Sequence, residues 1–382
     1  MNIGYYNLTT TTKHGGVESF VWEVARRMAD AGHRVTIYGG RGDVLRDYPQ
    51  LQIRQYRFIA REVWGRSRIL RRSLNLLKLL ERLSMAATAL PDLRRAGHDL
   101  IQISKPYDLP VVAAARYRGP RLVYNSQGTD FFSGDRFFRR TIDAAFACSR
   151  YNAAMVEARY RIPLDVSYNG FDEQRFHPQP ADAGLRARLA PDGAPLILYV
   201  GRLVTFKGLD YLLDAIGILR DRHTTPMPRL LLAGNGPHHA QLVARTQRLG
   251  IGAFVTFLGP QPNHELPHYH AVSDMLVLPS TDHETFGIAA CEAMGCGRPV
   301  VAAHTGGLPE VVRHGETGLL AAPADATALA DAIGTLLGDA ALRERMGTAA
   351  AEWVRAMFTW DRVVGRVLHS YETALATGAG RE

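Results

Sequence analysis

Three cysteines in 382 residues, Cys148, Cys291 and Cys296, are too few for a disulfide framework and form no zinc-ligand cluster. No run of about 18 apolar residues is present, so no segment reads as a membrane span. The opening MNIGYYNLTTTTKHGG lacks the charged and apolar regions of a signal peptide and reads as a strand followed by a polar loop. Together these features set the expectation of a reducing, cytoplasmic setting. The first strand is not followed by G-x-G-x-x-G, which argues against a nicotinamide dehydrogenase. No lysine stands out as a pyridoxal-phosphate anchor, which argues against a glycogen-type phosphorylase. No Asp-x-Asp occurs, so a catalytic metal is not expected.

What the chain does have is an uneven charge. Up to Pro178 there are 28 Lys/Arg and 17 Asp/Glu, a balance of +11; from Gln179 on the counts are 17 and 20, a balance of −3. Any basic partner surface therefore lies in the first half.

Both halves alternate short apolar, β-rich runs with amphipathic segments of helical period. NIGYYN (2–7), RVTIYG (34–39), DLIQIS (99–104), RLVYNS (121–126) and AAFACS (144–149) read as strands of the first half. LILYVG (196–201), RLLLAG (229–234), VTFLG (255–259), MLVLPS (275–280) and RPVVAA (298–303) do so in the second. Strand alternating with helix predicts two α/β, doubly wound domains with parallel sheets. The Pro- and Ala-rich stretch 177–195 reads as their linker.

Each polar cluster of the second half directly follows a strand: GRLVTFKG, GNGP, DHETFG and HTGG. Open parallel sheets bind ligands beyond the carboxyl ends of their strands, so these loops are expected at one edge. In HETFGIAACEAMG a helix starts near Gly287, where unpaired amides and the helix dipole favour a phosphate. Glu292 lies about 7–8 Å further along that helix, and Glu284 lies in the loop before it. A diphosphate over the glycine, with a hydroxyl-bearing group at each end, fits the two carboxylates. An acidic helix start with an exposed Glu fits them as well. Arg202 and Lys207 share one strand-to-helix loop and suit a diphosphate leaving group, or form a solvated basic turn. Gly234, Asn235 and Gly236 would let a base or ribose approach, or form a tight turn. His14, Gly15 and Gly16 would offer amides to phosphates from the first half, or form a flexible loop.

GRL…FKG, AGNGP, ETFG…CEAMGCGRPVVA, GGLPEVV and GETGLL occur in this order. The set resembles the retaining glycosyltransferases of family 4, which have the GT-B fold: two Rossmann-like domains facing across a cleft. The likeness extends over nearly the whole chain, from GG-E near the start through YNGFD (168–172) to FTW (358–360). It implies an acceptor-binding domain at 1–178 and a nucleotide-sugar domain at 179–357. A last helix, 358–382, would cross back to the first. By the resemblance Arg202 and Lys207 bind the diphosphate, Glu292 the ribose and Glu284 the sugar ring. The amides of Phe286, Gly287 and Ile288 meet the distal phosphate. Many relatives carry His-Gly where this chain has Gln127-Gly128; Gln cannot titrate, which leaves a positioning role beside Asn169.

The implied reaction moves a sugar from a nucleotide-diphosphate sugar, UDP by default, to an acceptor hydroxyl with retention. No cofactor is needed. The acceptor is a glycan, a lipid-linked sugar or a small molecule, and a non-catalytic nucleotide-sugar sensor remains a further alternative. The stretch 57–83 carries eight cations, with Trp64 and many leucines. As one helix it would dock on an anionic membrane's inner face, with FFRR (137–140) added, or simply cover its own sheet. No stacking platform accompanies the charge, so nucleic acid is not expected.

Overall fold

The computed structural model describes residues 1–68, 70–115 and 119–376. It divides into two compact units, Met1–Asn169 with the segment from Trp360 on, and Gly170–Thr359.

The first unit is built on β1 (Asn2–Tyr6), β2 (Arg34–Gly40), β3 (Gln52–Tyr56), β4 (Leu100–Ile103), β5 (Arg121–Ser126), β6 (Ala144–Ala147) and β7 (Asp165–Val166). They form one sheet in the order β3-β2-β1-β4-β5-β6-β7, all parallel. The second is built on β8 (Leu196–Val200), β9 (Arg229–Ala233), β10 (Val255–Gly259), β11 (Met275–Leu278), β12 (Val300–Ala303) and β13 (Gly318–Ala321). Its order is β10-β9-β8-β11-β12-β13, again parallel throughout. Central strands such as β4, β11 and β12 are buried along their length. That is the condition of parallel strands covered by helices on both faces. The ten strands expected from apolar runs are all present. Strands β3, β7 and β13 were not anticipated. The polar QIRQY of β3 is an exposed edge, β7 has only two residues, and GLLA is too short to stand out.

The structure differs from three further expectations. The division falls at Asn169/Gly170, ahead of 178/179, because Phe171 and Phe176 are buried in the second unit. There Phe171 donates its amide to Phe358 O at 3.0 Å. The expected linker 177–195 contains the helix Ala183–Leu189, capped by Asp182 on Leu185 N at 3.0 Å. Nor is 57–83 one helix. Arg61–Trp64 ends at Gly65, a 3₁₀ turn covers Leu70–Arg72, and a long helix starts afresh at Leu74 under a Ser73 cap. Position 69 of that stretch lies outside the described residues, as do 377–382 of the last segment.

The last helix, Trp360–Ala376, belongs to the core of the first unit. Trp360 meets Phe20 edge-on at 6.0 Å, and Arg27 lies 5.7 Å from its ring. The buried Tyr371 donates to Gln102 Oε1 at 2.6 Å, tying the helix to β4. Truncating Trp360 leaves a cavity under Phe20. Trp360→Ala is expected to lower the stability of the first unit by about 3–5 kcal/mol, read as an earlier urea transition.

Candidate active site

In the second sheet the chain runs outward from β8 to β10 in one direction and from β11 to β13 in the other. The gap between β8 and β11 is therefore the switch point, where crossing helices leave a crevice at the carboxyl ends. The loop after β8 carries Arg202 and Lys207; the loop after β11 carries Glu284. Lys207 and Glu284 form an ion pair across this point, with side chains 16% and 12% exposed. Ser280 Oγ donates to the same carboxylate at 3.1 Å. Arg202 is exposed, its guanidinium 5.7 Å from the Phe206 ring, and Lys207 Nζ lies 5.8 Å from that ring. Three of the four expected charged residues thus share one small region.

Backbone contacts lock the loops. Thr281 N donates to Phe206 O at 2.9 Å. Gly208 has φ +68°, and a Cβ there would sit 2.0 Å from Pro279 O. The HTGG loop after β12 closes on Glu284 from the other side. Gly307 N donates to Glu284 O at 2.8 Å. At Gly306, φ is +60° and a Cβ would lie 2.0 Å from the same oxygen. Only glycine tolerates both conditions. Sequence reasoning placed Gly306-Gly307 along the cleft; the structure makes them the clamp of the Glu284 loop. Gly306→Ala is expected to lower the stability of the second unit by about 1–3 kcal/mol, read as an earlier urea transition, because the left-handed backbone is strained and Glu284 must move.

Gly287 caps the helix Ile288–Gly295 with no side chain, so no side-chain acceptor occupies its first turn. Phe286 is buried against Phe358 at 5.4 Å, which fixes the loop's entry; Ile288 begins the helix. Gly234 and Gly236 follow β9, but their lack of a side chain is explained by packing. A Cβ would meet Gly201 O at 1.8 Å and Leu203 O at 2.1 Å. Asn235 is exposed beside them.

Glu292 does not join the Lys207 pair. It is half-buried on the helix after β11, among Arg175, Asn263 and Asp172. Burial pushes its carboxyl up to about 8; Arg175 and a hydrogen bond from Asn263 oppose the rise and Asp172 adds to it. Arg175 also donates to Asn263 Oδ1. Neither Arg175 nor Asn263 was anticipated, since only the fold brings them to Glu292. A carboxyl raised from 4.5 to about 8 holds its proton longer in the native state. Its stabilising contribution is complete below pH about 4.5 and lost as pH rises through 8. Glu292→Gln should therefore melt like the parent at pH 4.5 and on the order of 2–4 °C higher at pH 8.5. Equal melting points at both would contradict this.

The first sheet has its own switch point between β1 and β4. Gly15 caps the helix Gly16–Asp30, and both glycines are exposed. Thr9 Oγ1 donates to Glu18 on that helix at 2.5 Å. Lys105, after β4, lies 3.6 Å from Asp130, which also pairs with Lys78 at 3.2 Å. Burial lowers the Lys105 ammonium, and Asp130 raises it again. Gln127 is buried and donates to Asn125 Oδ1 at 3.0 Å, while Gly128 O accepts from Asn152 at 3.0 Å. Four strand ends each bring a buried polar atom with no partner among the described residues: Asn7 Nδ2, Ser104 Oγ, Asn125 Nδ2 and Asn169 Oδ1. Buried polar atoms are rarely left so, and hydroxyl groups would satisfy them. Among the described residues no group of three or more His, Cys, Asp or Glu is placed to hold a metal.

The first unit matches the family model for Glycosyltransferase Family 4 over residues 14–175. The second matches Glycosyl transferases group 1 over 184–353. The chain belongs to glycosyltransferase family 4. Within this family it is similar to a GDP-mannose-dependent alpha-(1-6)-phosphatidylinositol monomannoside mannosyltransferase of Mycobacterium tuberculosis. The two are 34% identical over 234 residues, 59% of this chain and 60% of that protein. A D-inositol 3-phosphate glycosyltransferase of Frankia alni is 39% identical over 56% of this chain and 54% of its own length. The chain thus matches about 60% or less of the length of these curated relatives. A sucrose-phosphate synthase from Thermosynechococcus elongatus superposes with a TM-score of 0.82 at 24% identity, covering 99% of this chain and 100% of that one. Anabaena HepE, solved with UDP and glucose, gives 0.79 at 24% identity over 98% of this chain and 100% of its own. These likenesses establish the GT-B fold of the family 4 chain.

Proposed function

We propose that the protein transfers a sugar from a nucleoside-diphosphate sugar to an acceptor hydroxyl. The Lys207–Glu284 pair at the β8/β11 switch point carries this reading. In the free chain the ammonium and the carboxylate neutralise each other. A bound diphosphate would take the ammonium, together with Arg202 and the first-turn amides after Gly287. Glu284 would then be released to accept hydrogen bonds from hydroxyls of the sugar ring. Its position, held by Ser280 and the Gly306-Gly307 clamp, is set before the donor arrives, which is the condition for electrostatic preorganisation. Glu292 would hold the ribose.

Arg202, Lys207 and the helix start carry the leaving-group charge in this reading, with no metal or cofactor. Attack occurs on the face the nucleotide leaves, with retention; the departing phosphate oxygen takes the acceptor proton. The acceptor belongs to the first unit, where the unpartnered atoms of Asn7, Ser104, Asn125 and Asn169 match a polyol. Gln127 and Gly128 position it.

For the donor base, UDP was the expectation from sequence. The mannosyltransferase relative favours GDP-mannose, and we place guanosine first. Its name also favours a glycolipid acceptor. The Frankia relative supports a second reading, a soluble inositol phosphate. A non-catalytic sensor would keep the same pair but turn over no donor.

A thermal-shift panel of GDP, UDP, ADP and GDP-mannose tests the donor. At about a hundred times Kd, the matching nucleotide should raise the melt by on the order of 5–10 °C. Lys207→Ala should lower turnover about 10²-fold. No shift with any nucleotide, and no effect of Glu292→Ala, would overturn the proposal.

A further inference from the structure

The first unit carries a basic and apolar surface that the transfer reaction leaves unused. Between 57 and 83, eight cations stand against only Glu62 and Glu81. Glu81 is buried, and Arg82 is buried against Asp108, so neither belongs to the surface. Arg66, Arg68, Arg71 and Arg72 are exposed, as are Arg136 and Arg140 of the 3₁₀ helix Asp135–Thr141. Among the described residues none of these six makes an ion pair. A solvated basic face would be expected to alternate with polar residues. Here it alternates with large apolar ones: Leu74 is 57% exposed, Val63 49%, Ile59 43% and Phe137 84%. The start of the long helix presents Leu74 and Leu76 outward, while Leu77 and Met85 turn into the core.

The two segments share one side of the unit. Tyr107 Oη donates to Asn75 Oδ1 at 2.8 Å, and Lys78 lies 5.6 Å from the Tyr107 ring. Tyr107 stacks on Phe132 at 5.2 Å, and Phe132 N donates to Asp135, the first residue of the Phe137 turn. Lys78 then reaches Asp130 at the carboxyl edge of the sheet. Tyr107 and Phe132 thus join the start of the long helix to the turn that carries Phe137.

We propose that this surface docks on an anionic lipid bilayer, with Leu74, Leu76 and Phe137 entering the headgroup layer and the six arginines facing lipid phosphates. Charge complementarity selects the occupant: unpaired guanidiniums exclude a buried apolar protein partner and match a negative interface. Exposed apolar tips beside them add burial that polyanions in solution do not offer. Among the described residues no helix is long and apolar enough to cross a membrane, so the contact is peripheral. It requires nothing of the donor site.

The test is co-sedimentation of the full chain with vesicles of phosphatidylcholine alone or with about 30 mol% phosphatidylglycerol. Pelleting is expected with the anionic vesicles only, and is weakened at about 0.5 M salt. Arg71→Gln/Arg72→Gln should cut partitioning about 25-fold, at roughly fivefold per cation. Leu74→Ser/Phe137→Ser should reduce it at both salt levels, whereas Arg345→Gln, on the second unit, should not. All these side chains are exposed, and an unchanged melt with an unchanged nucleotide shift confirms that each variant folds. Equal pelleting on neutral vesicles, no pelleting, or variants that pellet like the parent would overturn the proposal. So would binding to polyanionic RNA without binding to vesicles. The nucleotide shift, measured without lipid, fails or succeeds independently.

Discussion

The ion pair between Lys207 and Glu284 is the contact on which the candidate site depends. It joins two loops far apart in sequence because β8 and β11 are neighbours and their crossovers leave in opposite directions. A lysine on a strand-to-helix loop would ordinarily be flexible. Here Gly208 presses against Pro279 and Thr281 binds Phe206, so the loop has little freedom to turn the ammonium away. The carboxylate is held as firmly, by Ser280 at its oxygen and by Gly306-Gly307 at its carbonyl. The glycines are what allow three loops to close on one another.

This arrangement divides labour between the units. The second offers charge: a compensated cation, an exposed arginine and an uncapped helix start. The first offers polar atoms at four strand ends that lack partners, together with a lysine whose charge burial disfavours. Charge suits a diphosphate, and neutral donors and acceptors suit hydroxyls. The last helix, Trp360–Ala376, is held in the first unit's core by Trp360 and Tyr371.

Much of this was legible beforehand, and the reasons differ by residue. Buried parallel strands announce themselves as apolar runs, so ten of them could be read, while the polar edge β3 could not. Motif loops directly after strands foretold that Arg202, Lys207 and Glu284 would converge. Spacing along one helix set Glu292 apart from Glu284, and the structure keeps it apart, but its neighbours Arg175 and Asn263 could not be read from that spacing. Those partners reach it only through the fold, with Arg175 and Asn263 themselves 88 residues apart. The glycines of GNGP left a ligand approach or a tight turn open; the structure adds that loop packing leaves no room for a side chain at Gly234 or Gly236. A leucine-arginine stretch suggested one continuous helix, but Gly65 and the Ser73 cap interrupt it.

The most direct measurement is a crystal structure of the chain soaked with a nucleoside diphosphate. The account predicts density for the two phosphates between the Lys207 ammonium and the amides that follow Gly287, with the Lys207–Glu284 pair opened. A nucleotide bound elsewhere, or bound there while that pair stays closed, would contradict it.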